Sequence, residues 1–250
     1  MTETKLAVVI PAKDEAERIA ATVASAKAIP RTDLVIVVDD GSSDDTGKRA
    51  AAAGATVITH PRNRGKAAAM MTGALAVKNR DISTAPGSDD DAAARFRALL
   101  FIDADLGETA VNTAPLAAPV TSGHADMTIA ILPRQSAAGG GFGFVVGLAA
   151  KGIRELSGFE ATQPLSGMRC LSREAYEAAL PLASGWGVET GLTIDLVTQG
   201  FRVQEVECAL QHRVTGKNFK AQLHRAMQYK DVWRALAVRR KRARKTRNSQ

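Results

Sequence analysis

At 250 residues, 45% of them hydrophobic and 24% charged, the chain can bury one large core and is too apolar for a disordered or low-complexity protein. The formal net charge of +7 suggests nucleic acid until it is localised. Seven basic residues lie in RRKRARKTR, between Arg239 and Arg247, and without them 26 basic residues face 26 acidic ones. A neutral body with only 4% aromatic residues argues against a face of interleaved cations and aromatics, so no nucleic-acid partner is expected.

No apolar run approaches the roughly 18 residues needed to cross a bilayer. The N-terminal MTETKLAVVIPAK lacks the basic flank, long apolar stretch and cleavage site of a signal peptide, which predicts a cytoplasmic protein. Cys170 and Cys208 are too few and too isolated for a metal cluster or disulfide framework and are expected to be reduced and buried.

Lys5–Ile10 is a Val/Ile-rich strand of the type covered on both faces, ending at Pro11-Ala12-Lys13-Asp14-Glu15. A helix follows with Ile19, Val23, Ala26 and Ile29 on one face, its dipole complemented by Asp14 and Glu15 in the first turn. Leu34–Val38 is a second strand, running into Asp39-Asp40-Gly41-Ser42-Ser43-Asp44-Asp45-Thr46. Ser42 and Asp45 have capping-box spacing for a helix that stops at Gly54. Asp39 and Asp40 are left over, and a carboxylate at a strand end can accept a hydrogen bond from a nucleobase N–H.

Thr56–Thr59 is a short third strand. Gly65-Lys66 then opens the helix Ala67–Val77 and offers backbone N–H groups and a point charge to an anion, although the Walker spacing is missing. Asn79–Arg97 is polar, acidic at its centre and aperiodic, and reads as a mobile surface insertion without chemistry. In Leu99–Asp105, LLFIDAD, a buried strand ends in two carboxylates, Asp103 and Asp105. Hard oxygens at the carboxyl edge of an open α/β sheet suit Mg²⁺ or Mn²⁺, and such an ion suits a diphosphate. Four strands alternating with helices predict a doubly wound, parallel sheet whose acids converge on one edge.

Asp126–Leu132 reads as a strand, antiparallel at or near the edge, and Gly139–Gly143 as a flexible loop leading into the helix Phe144–Leu156. Gln163–Cys170 is a turn into a strand in which Arg169 could hold an anionic acceptor. Gly185–Thr190 opens the helix Gly191–Thr198; Glu189 there is either dipole decoration or a site carboxylate influenced by Trp186. Phe201–Leu210 is a last strand followed by His212, a candidate metal ligand. From Phe219 a long basic helix offers Leu223, Met227, Tyr229, Trp233 and Leu236 for packing, and residues 238–250 form a basic, disordered tail.

Four ordered motifs, VVIPAKDEAERI, VIVVDDGSSDDT, NRGKAAAMMTGA and FIDADLG, resemble the N-terminal half of GT-A-fold glycosyltransferases, especially family 2. PLSGMR, GWGVETGLTIDL and QHR are similar, more loosely, to the glucosyl-3-phosphoglycerate synthase group. The resemblance implies a single α/β domain with a mixed, mainly parallel, Rossmann-like sheet flanked by helices. Residues 1–110 would bind a nucleotide sugar, a UDP-sugar such as UDP-glucose being favoured, and residues 111–237 an acceptor. It also implies that Pro11, Ala12, Asp14, Glu15 and Asp40 line a uridine pocket, with Gly65 and Lys66 beside the diphosphate. Asp103 and Ala104 would face the nucleotide, Asp105 and His212 would ligate Mg²⁺ or Mn²⁺, Ser166, Gly167 and Arg169 would border the acceptor, and Glu189 would orient or deprotonate its hydroxyl. One departure is Lys13-Asp14, where the family usually has Asn before its first acid.

The expected activity is metal-dependent transfer of a sugar to a small, phosphorylated or lipid-linked acceptor. A sugar-nucleotide pyrophosphorylase is the alternative, although its Gly-rich loop after the first strand is replaced by PAKDEAE. The basic tail leaves room for peripheral contact with an anionic membrane, and a homodimer is a further possible partner state.

Overall fold

In the computed structural model, residues 4–84, 96–132, 142–210 and 219–247 are described. The Val/Ile-rich β1 (Leu6–Ala12) lies among β2 (Thr32–Asp39), β3 (Thr56–Thr59) and β4 (Ala98–Phe101), all parallel. With β5 (Met127–Ile131), β6 (Arg169–Leu171) and β7 (Val203–Glu207) they form a seven-stranded sheet in the order β3-β2-β1-β4-β6-β5-β7. Period-2 alternation splits β1 between the two faces. Leu6, Val8 and Ile10 join the core packed by α1 (Ile19–Lys27), whereas Ala7 and Val9 join the one packed by α3 (Lys66–Thr84). The elements form one domain, a mixed sheet flanked by helices.

The antiparallel strand is β6, which pairs with both β4 and β5; β5 is parallel to β7, and β7 forms the edge. The strand expected over 126–132, antiparallel at or near the edge, is β5: it lies second from the edge and pairs antiparallel with β6 but parallel with β7. Its alternating apolar residues report burial, and strand direction is set by the long connection through α4 (Ala114–Thr121). The short antiparallel insertion has a geometric consequence: Phe101 faces Arg169 across the ladder, so continuing the register brings Asp103 beside Gly167.

Two helices extend further than their apolar pattern indicates. α3 continues through Thr84, and Asp81 on its last turns is buried, paired with Arg97 and with Arg173 of α6 (Arg173–Ala178). Asn79–Arg97 is thus no chemically inert insertion at its two ends; residues 85–95 lie outside the described residues. The glycine run 139–141 also lies outside them, and α5 begins at Phe142 and ends at Ser157.

The C-terminal helix α8 (Phe219–Arg247) remains helical through residues read as a disordered tail, with Arg239 paired to Asp195 and Arg240 to Glu155. Its buried stripe is Val232, Ala235, Leu236 and Arg239. Met227, Tyr229 and Trp233, expected to pack, are exposed because they fall off that stripe; Leu223 has no described side chain.

Replacing Asp81 by Ala leaves Arg173 with an uncompensated buried charge, while Arg97 keeps its pair with Asp33. It is expected to cost about 3 kcal/mol in urea unfolding, the scale for breaking a buried ion pair. An unchanged midpoint would show that water reaches the Arg173 guanidinium.

Candidate active site

The carboxyl ends of β1 and β2 are joined side by side. Lys13 Nζ donates to the Gly41 carbonyl at 2.8 Å, the Asp14 amide to Ser42 Oγ at 2.9 Å, and the Glu15 amide to Thr46 Oγ1 at 2.8 Å. In return Asp14 Oδ1 accepts from the Ser43 amide at 2.7 Å and hydroxyl at 3.0 Å. These bonds, led by the amide, hold the Asp14 carboxyl below its usual pKa. Asp14 takes φ 54°, a conformation open to Asp and Asn, so an acid can stand where the family usually has Asn. Ser42 is spent on Asp14, so there is no capping box: α2 (Thr46–Ala52) follows Asp45 without a side-chain cap.

Asp40 is buried, and its carboxylate is directed at the next loop. Oδ1 accepts from His60 Nδ1 at 2.7 Å and from the Arg64 amide at 2.8 Å, and Oδ2 accepts from the Gly65 amide at 2.8 Å. Burial alone would raise its pKa, but these donors outweigh it and lower it. His60 Nε2 lies 3.0 Å from Thr72 Oγ1, which ties the loop to α3. Asp40, expected to line a base pocket, therefore organises the loop that delivers Gly65 and Lys66, because three donors surround it. His60 escaped the sequence reading; its only signal was its place at the end of β3.

Gly65, with φ 87°, turns the chain into α3, and Lys66 is the first helical residue. Its Nζ lies 2.8 Å from Asp103 Oδ1 and 3.2 Å from Glu189 Oε1. Burial opposes the ammonium charge, yet the two carboxylates prevail and raise its pKa. Gly167 closes the cluster from below: a Cβ there would sit 2.3 Å from Lys66 Nζ and 2.9 Å from Asp103 Oδ1. Three segments far apart in sequence thus meet at one charge.

The turn after β4 is held by α1. Thr22 Oγ1 donates to the Ala104 carbonyl at 2.8 Å and accepts from the Gly107 amide at 2.8 Å, while Arg18 Nη1 reaches the Asp105 carbonyl at 3.4 Å. This fixes the backbone of Asp105, whose half-buried carboxylate engages no described residue. Pro11 and Ala12 end β1 on the same edge.

Ser166, in the turn that leads into β6, is buried, with no described partner for its hydroxyl. Arg169, expected to meet an acceptor, is 0% exposed: it donates to the Ser166 carbonyl at 2.9 Å, Thr193 Oγ1 at 2.8 Å and the Pro164 carbonyl at 3.2 Å. Burial pulls its guanidinium down to about 10 against the opposing pull of Glu189. It supports the Pro164–Gly167 turn from within and is not presented to a ligand. Glu189 starts α7 (Val188–Thr198), is buried, and has Lys66 as its cationic neighbour; Trp186 is only half-buried. Both cysteines are buried free thiols, pushed up in pKa by burial.

His212 lies outside the described residues, and among the described ones no three His, Cys, Asp or Glu side chains converge as a metal cage. That is compatible with Mg²⁺ or Mn²⁺, which need only one or two carboxylates when substrate phosphates and water complete the shell. Asp105 supplies such an oxygen; Asp103 is engaged by Lys66.

The model of Glycosyl transferase family 2 matches residues 7–143, more than half of the chain, and the chain belongs to that family. No curated protein matches it. Among solved structures, it is similar to glucosyl-3-phosphoglycerate synthase from Mycobacterium tuberculosis in complex with phosphoglyceric acid. That match has 27% identity and a TM-score of 0.71, covering 94% of this chain and 80% of that one. The same enzyme in complex with Mn²⁺, uridine diphosphate and phosphoglyceric acid matches at 26% identity and TM-score 0.71, over 94% and 78% of the two chains. Its complex with Mn²⁺, UDP-glucose and phosphoglyceric acid matches at 26% and 0.70, over 94% and 79%.

Gly167→Ala should cost little stability, since the tip of Lys66 can yield, but must move the ammonium away from Asp103 and Glu189. Turnover of a nucleotide sugar is expected to fall about tenfold or more, the scale for a misplaced charged group. Full turnover with an unchanged melting temperature would show that the position of Lys66 is immaterial.

Proposed function

We propose that the protein transfers a sugar, glucose in the favoured case, from a UDP-sugar to a small phosphorylated acceptor with Mg²⁺ or Mn²⁺ bound. The observation that carries this reading is the part-buried ammonium of Lys66 between Asp103 and Glu189, with the carboxylate of Asp105, two residues beyond Asp103, engaging no described residue. The UDP-glucose, Mn²⁺ and phosphoglyceric acid in the similar structures support the substrate classes.

In this reading the joined loops of Pro11–Glu15 and Asp39–Thr46 form the floor for the nucleoside, and residues 1–110 act as the donor half. The bond from the sugar's anomeric carbon to the phosphate oxygen breaks, and one forms to the acceptor oxygen. Lys66 stabilises negative charge gathering on the departing diphosphate. Asp105, with His212, would hold the divalent ion, which would supply Lewis-acid neutralisation of the same charge. Glu189 orients the acceptor hydroxyl and takes its proton when Lys66 turns toward the diphosphate. Ser166 and Gly167 border the acceptor, and residues 111–237 act as its half.

The pyrophosphorylase alternative gains nothing: Lys13, the cation after β1, is spent on the Gly41 carbonyl. No described helix is long and apolar enough to cross a membrane. The proposal places the protein in the cytoplasm. There the exposed cations of the last turns of α8 can touch an anionic bilayer, each adding about 1 kcal/mol near its surface.

UDP release from UDP-glucose, with 3-phosphoglycerate added, is expected to require Mg²⁺ or Mn²⁺, and UDP with Mn²⁺ should raise the melting temperature. Asp105→Ala should lose turnover by about a hundredfold or more, on the scale of removing a transition-state charge stabiliser. If no nucleotide sugar gives a metal-dependent response, the transferase reading is lost. Full turnover in Asp105→Ala would remove only the metal role of that residue.

A further inference from the structure

Glu189 is flanked by glycines in Gly185-Trp186-Gly187-Val188-Glu189-Thr190-Gly191, and all three glycines meet the C-terminal helix α8. A Cβ on Gly185 would sit 2.0 Å from Asp231 Oδ2. On Gly187 it would lie 2.7 Å from the Asp231 carbonyl and 2.8 Å from Ala235 Cβ, and on Gly191 2.7 Å from Arg239 Nη2. Asp231, Ala235 and Arg239 are spaced by four and form one stripe of α8. The glycines are therefore the imprint of that stripe. The tightest constraint is at Gly187, where the neighbour is the backbone carbonyl of Asp231 and cannot yield as a side-chain tip can.

Within the stripe, Asp231 has a particular task. The first turn of a helix leaves N–H groups without intrahelical acceptors, and Gly187, at the N-cap of α7, has no side chain to serve them. Asp231 does not reach those amides but ties down the residue ahead of the cap: its Oδ2 accepts the Trp186 amide at 3.2 Å, which holds the entry to α7 against α8. A carboxylate at this end is also favoured by the dipole of α7. Eight residues further along α8, Arg239 Nε donates to Asp195 Oδ1 at 2.8 Å, fixing the same two helices on the later turns of α7. Glu189 lies between these two ties, reaching across the site to Lys66.

We propose that Asp231 is a positioning residue for Glu189. It holds the entry to α7 so that the Glu189 carboxylate stays within reach of Lys66 and of the acceptor hydroxyl, without itself touching substrate. This rests on the reading of Glu189 as the acceptor-side carboxylate.

The test is kinetic: UDP release from UDP-glucose with Mn²⁺, to 3-phosphoglycerate where it is accepted and to water where it is not. Asp231→Ala should lower kcat about tenfold to a hundredfold, with the KM for UDP-glucose changed by less than about twofold. Asp231→Asn retains an acceptor oxygen and should recover most of kcat. Arg240→Ala, on the same helix but paired with Glu155, should keep the wild-type kcat. The proposal is overturned if Asp231→Ala keeps its kcat. It is also overturned if kcat, donor KM and melting temperature worsen together in both substitutions, the signature of a merely structural role. Glu189→Gln, run beside them, separates the two ideas. Collapse of kcat in Glu189→Gln with an intact Asp231→Ala removes the positioning role alone, whereas an intact Glu189→Gln removes the role of Glu189 and this proposal with it.

Discussion

A buried ammonium needs compensating charge, and the arrangement of this molecule follows from how Lys66 obtains it. Its partners, Asp103 and Glu189, come from the end of β4 and the start of α7, so neither half of the chain can complete the cluster alone. The antiparallel strand β6 makes the meeting possible. Paired with β4 through Phe101 and Arg169, it delivers Gly167 next to Asp103, leaving the space that Lys66 Nζ fills. Arg169 then anchors the same turn from inside the core, at the desolvation cost that pulls its guanidinium down to about 10. A buried group of this kind adds little to stability in itself, and its value is in fixing one geometry.

An edge lined with acids is a poor place to bring a diphosphate unless most of those acids are already satisfied. Asp14 is engaged by Ser43, Asp39 by the Ser42 amide, Asp40 by His60 and two loop amides, and Asp44 by Thr46 and the Ala16 amide. Each carboxylate accepts N–H or O–H donors, which hold its charge locally while tightening a loop. Asp103 is paired with Lys66, and the Asp105 carboxylate engages no described residue. The dense acidic spelling of the N-terminal half is therefore chiefly a set of loop fasteners.

This division explains what was legible in the sequence. The parallel strands β1 to β4 were readable because apolar runs break at Pro11, Asp39 and Asp103 with helices between them. Strand direction in the second half was not readable, since three residues of β6 carry no periodicity and their orientation depends on pairing with β4. Partnerships were equally hidden. Nothing in DDGSSDDT distinguishes a capping serine from one that accepts the amide of Asp14, twenty-eight residues away. Arg169 looked like an anion ligand because local sequence does not report burial, and Asp81 looked solvated because its two arginines lie at positions 97 and 173.

The C-terminal helix shows why the second half tolerates so little local freedom. The half built on parallel strands has its loops anchored at both ends by the sheet, as Thr22 and Asp40 show by bonding backbone amides of neighbouring loops. The second half has no such frame around Glu189: Gly185–Gly187 is a short 3-10 turn leading into α7. Glycine is the costliest residue to order and gives a helix entry no stiffness of its own. Three glycines around a site carboxylate make physical sense only if an outside element supplies the rigidity, and the Asp231–Ala235–Arg239 stripe does so by close packing at all three. The C-terminal helix is in this sense part of the frame of the candidate site.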